Sequence, residues 1–283
     1  MQTKLKNADE ATVDGFGREW SAFRQTNDDL PDDERRAIFD GYFAIFPWDA
    51  LPRESVGADI GCGSGRWAAV VAPRVGTLHL IDASPAALDV ARTNLAAQDN
   101  AAFHHASAAA LPFADGTLDF AYSLGVLHHM PDVAGAITHI VTKLKPGAPF
   151  LVYLYYALDN RPAWFRLLWQ VSDTGRLGLS RMPHGVRMVA SQIIAATIYW
   201  PLARIAAALD KFGALPASWP LAFYRRHSFY VMRTDAFDRF CTALEQRFTR
   251  EQVRAMMQDA GLEAIRFSQH EPYWVAVGTK ATP

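Results

Sequence analysis

Val56-Gly57-Ala58-Asp59-Ile60-Gly61-Cys62-Gly63-Ser64-Gly65-Arg66 is the stretch that decides the fold. VGADI reads as a short apolar strand, the glycines at 61, 63 and 65 as a turn, and RWAAVVAPRV as a helix. Glycines there let backbone approach a ligand at the carboxyl end of the first strand, the usual ligand crevice of open α/β sheets. The same alternation continues downstream. TLHLID is a second strand, and SPAALDVARTNLAAQ is a helix capped by Ser84, opened by Pro85 and lined by Leu88, Ala91 and Leu95. AAFHHA and LDFAYSLG are the third and fourth strands; a helix from about Asp132 to Leu144 stops at KPG, and APFLVYLYY is the fifth. A capping box, Thr249 to Gln252, then opens a helix that Gly261 closes, and EAIRFSQ and PYWVAVGTK complete seven strands. Strands alternating with helices predict right-handed crossovers and a doubly wound, mostly parallel, seven-stranded Rossmann-like sheet of the α/β class.

Two segments lie outside this rhythm. Residues 1–50 form an N-terminal helical lid segment. One helix near Gly15 to Phe23 carries Phe16, Trp20 and Phe23 on one face. Another starts at Pro31 with Asp32, Asp33 and Glu34 in its first turn and bears the stripe Ile38, Phe39, Tyr42, Phe43, Phe46. The second is a helical insertion over 158–235, which divides the α/β domain into 51–157 and 236–283. Residues 158 to 232 hold nine bases and three acids, a net of +6, interleaved with aromatics. Inserts of this size usually serve as lids or binding elements, and this one is expected to close with the N-terminal helix as one lid.

Composition narrows the classes. The 283 residues are half apolar and 20% charged, which is globular, and a net charge of −1 gives no field that draws the whole chain to nucleic acid. Cys62 and Cys241 cannot make a disulfide scaffold, and the N-terminus has no apolar signal region, so a cytoplasmic enzyme is expected. The longest uncharged stretch, Met188–Ala203, falls short of the ~20 residues of a membrane span.

The glycine turn also excludes ligands. A dinucleotide fingerprint needs a small residue where Arg66 stands, and no Gly-Lys-Ser/Thr ends the loop as a phosphate cradle requires. Asp82, twenty-one residues after Gly61, ends the second strand where ribose hydroxyls can be accepted. The ligand that fits is an adenosine compound without a phosphate to hold. At this point the chain resembles the class I S-adenosylmethionine-dependent methyltransferases, in the branch of the ubiquinone-biosynthesis and "type 11" enzymes. DIGCGSG resembles the first motif of that family, LIDASPAALDVAR the second, and ALPFADGTLDFAYSLGVLHHMPD the third and fourth, followed by LKPG. The resemblance covers 56–156 well and 249–279 loosely. It implies S-adenosyl-L-methionine as cofactor, S-adenosyl-L-homocysteine as product and no metal. Gly61, Gly63 and the nearby backbone would hold the methionine part and Asp82 the ribose, Ala108 and Leu124 would border the adenine and the sulfonium, and Ser107 would face the adenine amino group; Asp59, Cys62 and Ala83 are counted with the same cofactor-binding set, and Trp20 as an aromatic cover. Ser107 stands where the family commonly has Asp.

A base is needed only for an acceptor that must lose a proton. His129, with His227 and Tyr230 from the insert, are the candidate catalytic groups; His128, Tyr156, Tyr224, Arg225 and Arg233 are candidates for holding the substrate, the arginines through an acidic group. The expected reaction is methyl transfer by in-line displacement to an O, N or C atom of a small molecule. Two alternatives are a lipid-like or quinone acceptor at a membrane surface, and a noncatalytic nucleotide-binding module. Ser123-Leu124-Gly125-Val126 replaces the Asn/Asp-Pro-Pro-Tyr of amide and adenine methyltransferases, which argues against both; a neutral chain whose basic charge sits in one aromatic insert argues against nucleic acid as a partner.

Overall fold

The computed structural model describes residues 5–26, 28–242 and 244–282, which divide into two compact units. The first comprises Met1–Asn27, Pro31–Ala157 and Leu244–Pro283, and the second Asp28–Leu30 with Leu158–Ala243.

In chain order the first unit holds α1 (Glu10–Ala22), α2 (Asp32–Phe43), β1 (Val56–Ile60), α3 (Ala68–Val71), β2 (Thr77–Asp82), α4 (Pro85–Asn94), β3 (Ala101–His105), β4 (Phe120–Leu124), α5 (Val133–Lys143) and β5 (Pro149–Tyr153). The second unit contributes α6 (Ala163–Leu179), α7 (His184–Ile194), α8 (Trp200–Lys211) and α9 (Phe229–Cys241). The chain then returns to the first unit for α10 (Arg250–Asp259), β6 (Leu262–Phe267) and β7 (Val275–Lys280).

The seven strands form one sheet in the order β3-β2-β1-β4-β5-β7-β6, as the alternating pattern predicts. β7 is the exception in direction, antiparallel to both β5 and β6. Strand order reverses between β1 and β4, which sets the ligand crevice at their carboxyl ends. One sheet face, with Ala58, Ile60, Ala121, Phe150 and Val152, buries against Ile137 and Ile140 of α5 and Val253 and Met257 of α10. The other face receives α2, whose Phe43 meets Tyr122 at 5.2 Å; Phe46, just past the helix, meets Phe120 at 5.9 Å. Thus the apolar stripe read from the sequence is spent on the sheet. Gly57 belongs to that face because a Cβ there would lie 2.0 Å from the Phe120 ring.

Caps explain several boundaries. Asp9, Ser84 and Asp132 each accept the N–H three residues on, and Thr249 with Gln252 forms the reciprocal box that the sequence signals. Two expectations change. α3 is only one turn, because Pro73 sits in the 3₁₀ turn that follows and cannot continue an α-helical ladder. The fifth strand ends at Tyr153 instead of Tyr156: its pairing with β7 stops at Tyr153–Val275, and Tyr155 and Ala157 exchange backbone hydrogen bonds with Phe248.

Within the second unit, α6 and α7 both pack on α9. Arg176 and Arg187 donate to the Thr242 and Cys241 carbonyls at the α9 C-terminus, where cations satisfy the last carbonyls of a helix. For that reason the unit runs through α9 to 243, past the boundary at 235 that the sequence suggests. A single π turn over Ala195–Tyr199 joins α7 to α8, giving an unbroken helix from His184 to Lys211. It is long and apolar enough to cross a membrane, although the uncharged stretch inside it is shorter.

Candidate cofactor site

The glycine turn after β1 is held from three sides. Gly61 and Cys62 donate to the Ile81 carbonyl at 2.7 and 3.0 Å, fastening the turn to β2. Gly61, Gly63 and Gly65 all have positive φ, at +78°, +54° and +76°, a region closed to most side chains. A Cβ on Gly61 would lie 2.3 Å from Val126, so this position is shut by the loop after β4 as well as by backbone geometry.

Asp82 ends β2 with one carboxylate oxygen accepting from the Gly63 N–H at 2.9 Å and the other from the Ser84 N–H at 2.8 Å. It therefore sets the turn and the start of α4 together. Burial raises its carboxyl above the usual range, and the Ser84 and Gly63 hydrogen bonds pull it back. Each carboxylate oxygen retains a second lone-pair direction, enough to accept ribose hydroxyls. The Ala83 carbonyl beside it lies 3.0 Å from His105 Nε2.

Asp59 lies one strand inward, 2% exposed, opposite Tyr122 of β4. Burial pushes its carboxyl up to about 8; the Tyr122 hydroxyl works against that rise and the Asp82 charge adds to it. A cation nearby would favour its ionised form. Cys62 is buried and its thiol is pushed well up, chiefly by burial and then by Asp82 and Asp59, which makes it a small packed side chain without thiolate character.

α1 covers the turn. A Cβ on Gly63 would sit 2.9 Å from Trp20 Cε2, so the indole lies directly over the glycine backbone. Arg66 stacks its guanidinium over Trp67 at 4.3 Å and over Trp20 at 5.9 Å. Behind α1, the Ser64 hydroxyl donates to Gln25 Oε1 at 2.7 Å, and Asn94 of α4 donates to the Ser64 and Arg24 carbonyls. Gln25, Ser64 and Asn94 were not singled out by sequence reasoning; Asn94 sits one turn past the Leu88–Ala91 face, and nothing local marks it as a tether.

The remaining cofactor candidates gather around the same crevice. Ser107 follows β3, 2% exposed, and accepts the Ala109 N–H at 3.2 Å through its hydroxyl, with Ala108 buried next to it. Leu124 ends β4, and Gly125, at φ +76°, turns the chain into the 3₁₀ turn Leu127–His129.

His129 Nδ1 lies 2.7 Å from the Leu244 carbonyl, which can only accept, so that nitrogen carries the proton and a neutral ring has its lone pair on Nε2. Phe16 of α1 meets the ring edge-on at 4.9 Å. α1 thus places one aromatic over the glycine turn and another against His129.

Several substrate candidates are placed differently from expectation. His128 is fully buried and stacked on Tyr155 at 3.9 Å, and burial, then His129 and Arg247, hold its ring neutral; no surface is left for a substrate. Tyr156, half-buried, packs toward Tyr273 and Trp274 on the core side. In the second unit Tyr224 is 1% exposed and donates to Asp235 at 2.7 Å, so it braces the helices. Arg225 is paired with Asp210 at 3.2 Å, its charge already answered within its own unit. Arg233 lies 5.1 Å over the Tyr230 ring on α9, and the His227 ring meets Phe223 tilted at 4.6 Å. His227, Tyr230 and Arg233 belong to the second unit, and His129 to the first. Among the described residues no cluster of three or more His, Cys, Asp or Glu could hold a metal ion.

Comparison with known proteins agrees with this geometry. Residues 58–152, from β1 to β5, match the family model of a methyltransferase domain. Over this segment the chain is similar to methyltransferase domains. An O-methyltransferase of Aspergillus nomiae is 35% identical over 95 residues, covering 32% of this chain and 42% of that protein. The uncharacterized methyltransferase YcgJ of Bacillus subtilis is 31% identical over 104 residues, 36% of this chain and 41% of its own length. The matches to these two proteins therefore span about two fifths of each. In fold, a SAM-dependent methyltransferase from Methanosarcina mazei superposes with a TM-score of 0.52 at 17% identity, covering 84% of this chain and 99% of that one. The matched segment thus supplies the turn, Asp82 and the β4 loop, whereas α1 and the second unit lie outside it.

Proposed function

We propose that the chain is an S-adenosylmethionine-dependent methyltransferase acting on an O, N or C atom of a small-molecule acceptor. The observation that carries this reading is the glycine turn locked to Asp82, with Trp20 laid over Gly63. A turn so closed to side chains suits close approach of a ligand's methionine part, and the carboxylate suits ribose hydroxyls.

When bound, the cofactor supplies an electrophilic methyl group on a sulfonium whose leaving group is a neutral thioether. The chain's own part is then mostly positioning. Orientation of an acceptor by the walls near Leu124 and His129 can supply of order 7–11 kcal/mol of the barrier at best. The aromatic rings of Trp20 and Phe16 exclude water over the turn and over His129. His129, held through its Nδ1–H, can in its uncharged form accept a proton at Nε2 when the acceptor is a hydroxyl or an ammonium. Ser107 keeps its hydroxyl proton and a lone pair beside the adenine position, while its Ala109 bond fixes the rotamer.

Titration calorimetry with S-adenosylmethionine and S-adenosylhomocysteine, followed by a screen for homocysteine-nucleoside release across hydroxyl, amine and activated-carbon acceptors, tests this reading. Absence of binding by the folded chain would defeat it.

A further inference from the structure

Among the described residues, the large apolar side chains that stand out in solvent all fall between Trp164 and Phe212. They follow helical spacing. On α6, Trp164, Leu167, Leu168 and Val171 fall on one face at 100° per residue, while Leu177, near the helix end, stands off that face. On α7 they are Val186, Val189 and Ile193, and along the π turn and α8 Ile198, Ile205 and, just past its end, Phe212, seven residues apart. The opposite sides of the same helices are already used. Arg176 of α6 and Ser191, Ala195, Tyr199, Ala203 and Ala206 of the long helix are buried inside the unit. These helices are therefore apolar outward in addition to being packed inward, which burial in their own unit does not explain.

Charge is divided to match. Residues 158–243 carry eleven Arg and Lys and five Asp, a net of +6, and Asp28 and Asp29 bring the second unit to +4, in a chain whose total is −1, so the first unit carries −5. Exposed cations stand beside the apolar tips: Arg181 next to Met182 in the loop between α6 and α7, and Lys211 next to Phe212, which is 85% exposed, at the end of α8. Trp164 and Trp200, 52% and 41% exposed, present the ring type favoured at the boundary between water and lipid.

We infer that the second unit docks on an anionic lipid bilayer through the outward faces of α6 and the α7–α8 helix. Apolar side chains enter the headgroup–acyl boundary, and arginine and lysine at the rim meet lipid phosphates. A second copy of the chain is the poorer occupant, because face-to-face pairing would bring two units of net +4 together. A crossing helix fits less well too. The helix from His184 to Lys211 is about 42 Å long. Pulling it from its unit would strip Arg187 from the Cys241 carbonyl and Arg204 from those of Tyr224 and His227. The unit lies on the surface as a body. This inference stands on the second unit alone and is tested without cofactor.

The experiment is co-sedimentation of the full chain with phosphatidylcholine vesicles, and with vesicles of phosphatidylcholine and phosphatidylglycerol, at low and high salt. Binding to the anionic vesicles is expected to be at least roughly tenfold tighter than to the neutral ones and to weaken in high salt. Leu167→Glu with Val171→Glu on α6, at exposed positions where the fold is retained, should cut it at least roughly tenfold while far-UV circular dichroism stays unchanged. Val189→Glu with Ile193→Glu on α7 makes the same test on the other helix. Replacing Arg166, Arg181 and Lys211 by Glu should abolish the anionic preference. No vesicle binding by the wild-type chain, equal binding by the apolar variants, a salt-stable association that survives alkaline carbonate washing, or a dimer in sedimentation equilibrium that the apolar variants dissociate without vesicles involved would each overturn the inference.

Discussion

Gly63→Ala tests the central contact of the cofactor site. The backbone there sits at φ +54°, where a Cβ costs about 1–2 kcal/mol. The added carbon would also lie 2.9, 3.0 and 3.1 Å from Cε2, Nε1 and Cζ2 of Trp20. The indole has to move by a few tenths of an ångström, and overpacking of this sort adds about 1–3 kcal/mol. Together the substitution should cost about 2–5 kcal/mol. For a unit of this size each kcal/mol moves the melting temperature by about 2–4 °C, so a fall of at least about 4 °C is expected. Trp20→Ala removes the steric part and leaves the backbone part. A double-mutant cycle followed by far-UV circular dichroism should therefore show Gly63→Ala costing about half as much, or less, in the Trp20→Ala background, with a coupling of about 1–3 kcal/mol. Equal losses in the two backgrounds would refute the packing of α1 over the turn and, with it, the aromatic cover of the site. In the same series cofactor affinity should fall in Gly63→Ala and stay low in the double variant, because the backbone strain remains where the ligand approaches.

Asp82→Asn keeps one acceptor for its two backbone donors, so calorimetry should show at least tenfold weaker cofactor binding and urea melts a loss of about 1.5–3 kcal/mol; unchanged values in both would remove Asp82 from the site. Asp59 holds its proton in the folded chain up to about pH 8, whereas an unfolded aspartate releases it near pH ~4. Its contribution to stability is therefore complete below that lower value and is lost as pH rises toward about 8, at up to about 1.4 kcal/mol per pH unit, then levels off. Urea midpoints between pH 5 and 9 should show that slope in wild type and a flatter one in Asp59→Asn; parallel curves would contradict the buried neutral carboxyl. His129→Ala should lower turnover at least tenfold with cofactor affinity nearly intact, measured by release of S-adenosylhomocysteine, and full activity would leave positioning alone as the mechanism.

How much of this was legible in the sequence follows from the range of the interactions. The glycine turn, the position of Asp82 at the end of β2, the caps at Ser84 and Thr249 and the α2 stripe are all written in residues within one or two turns of each other, and each has the predicted neighbourhood. The tethers are not local. Ser64 meets Gln25 from 39 residues away, and His129 meets the Leu244 carbonyl across 115 residues. Neither spacing nor residue type announces such pairs. The same holds for the charges: Arg225 reads as a free anion receptor until the fold sets Asp210 beside it. His128 and His129 are adjacent and chemically identical, yet one is walled in against Tyr155 and the other faces α1, a distinction that only packing makes.

By itself, the sequence determined the class of the fold, the strand alternation and the kind of ligand turn, because period and glycine placement act through local backbone sterics and hydrogen bonding. It also carried the basic bias of residues 158–232, since charge is a sum and needs no coordinates. Tertiary structure decided which surfaces those residues were left to present. The pattern of α6 and α7 is apolar on more than one side, and nothing in the pattern says which side α9 will take. Packing against α9 consumed one side and left the other to solvent, because burial depends on which partner a face meets and a sequence of residues does not name its partner.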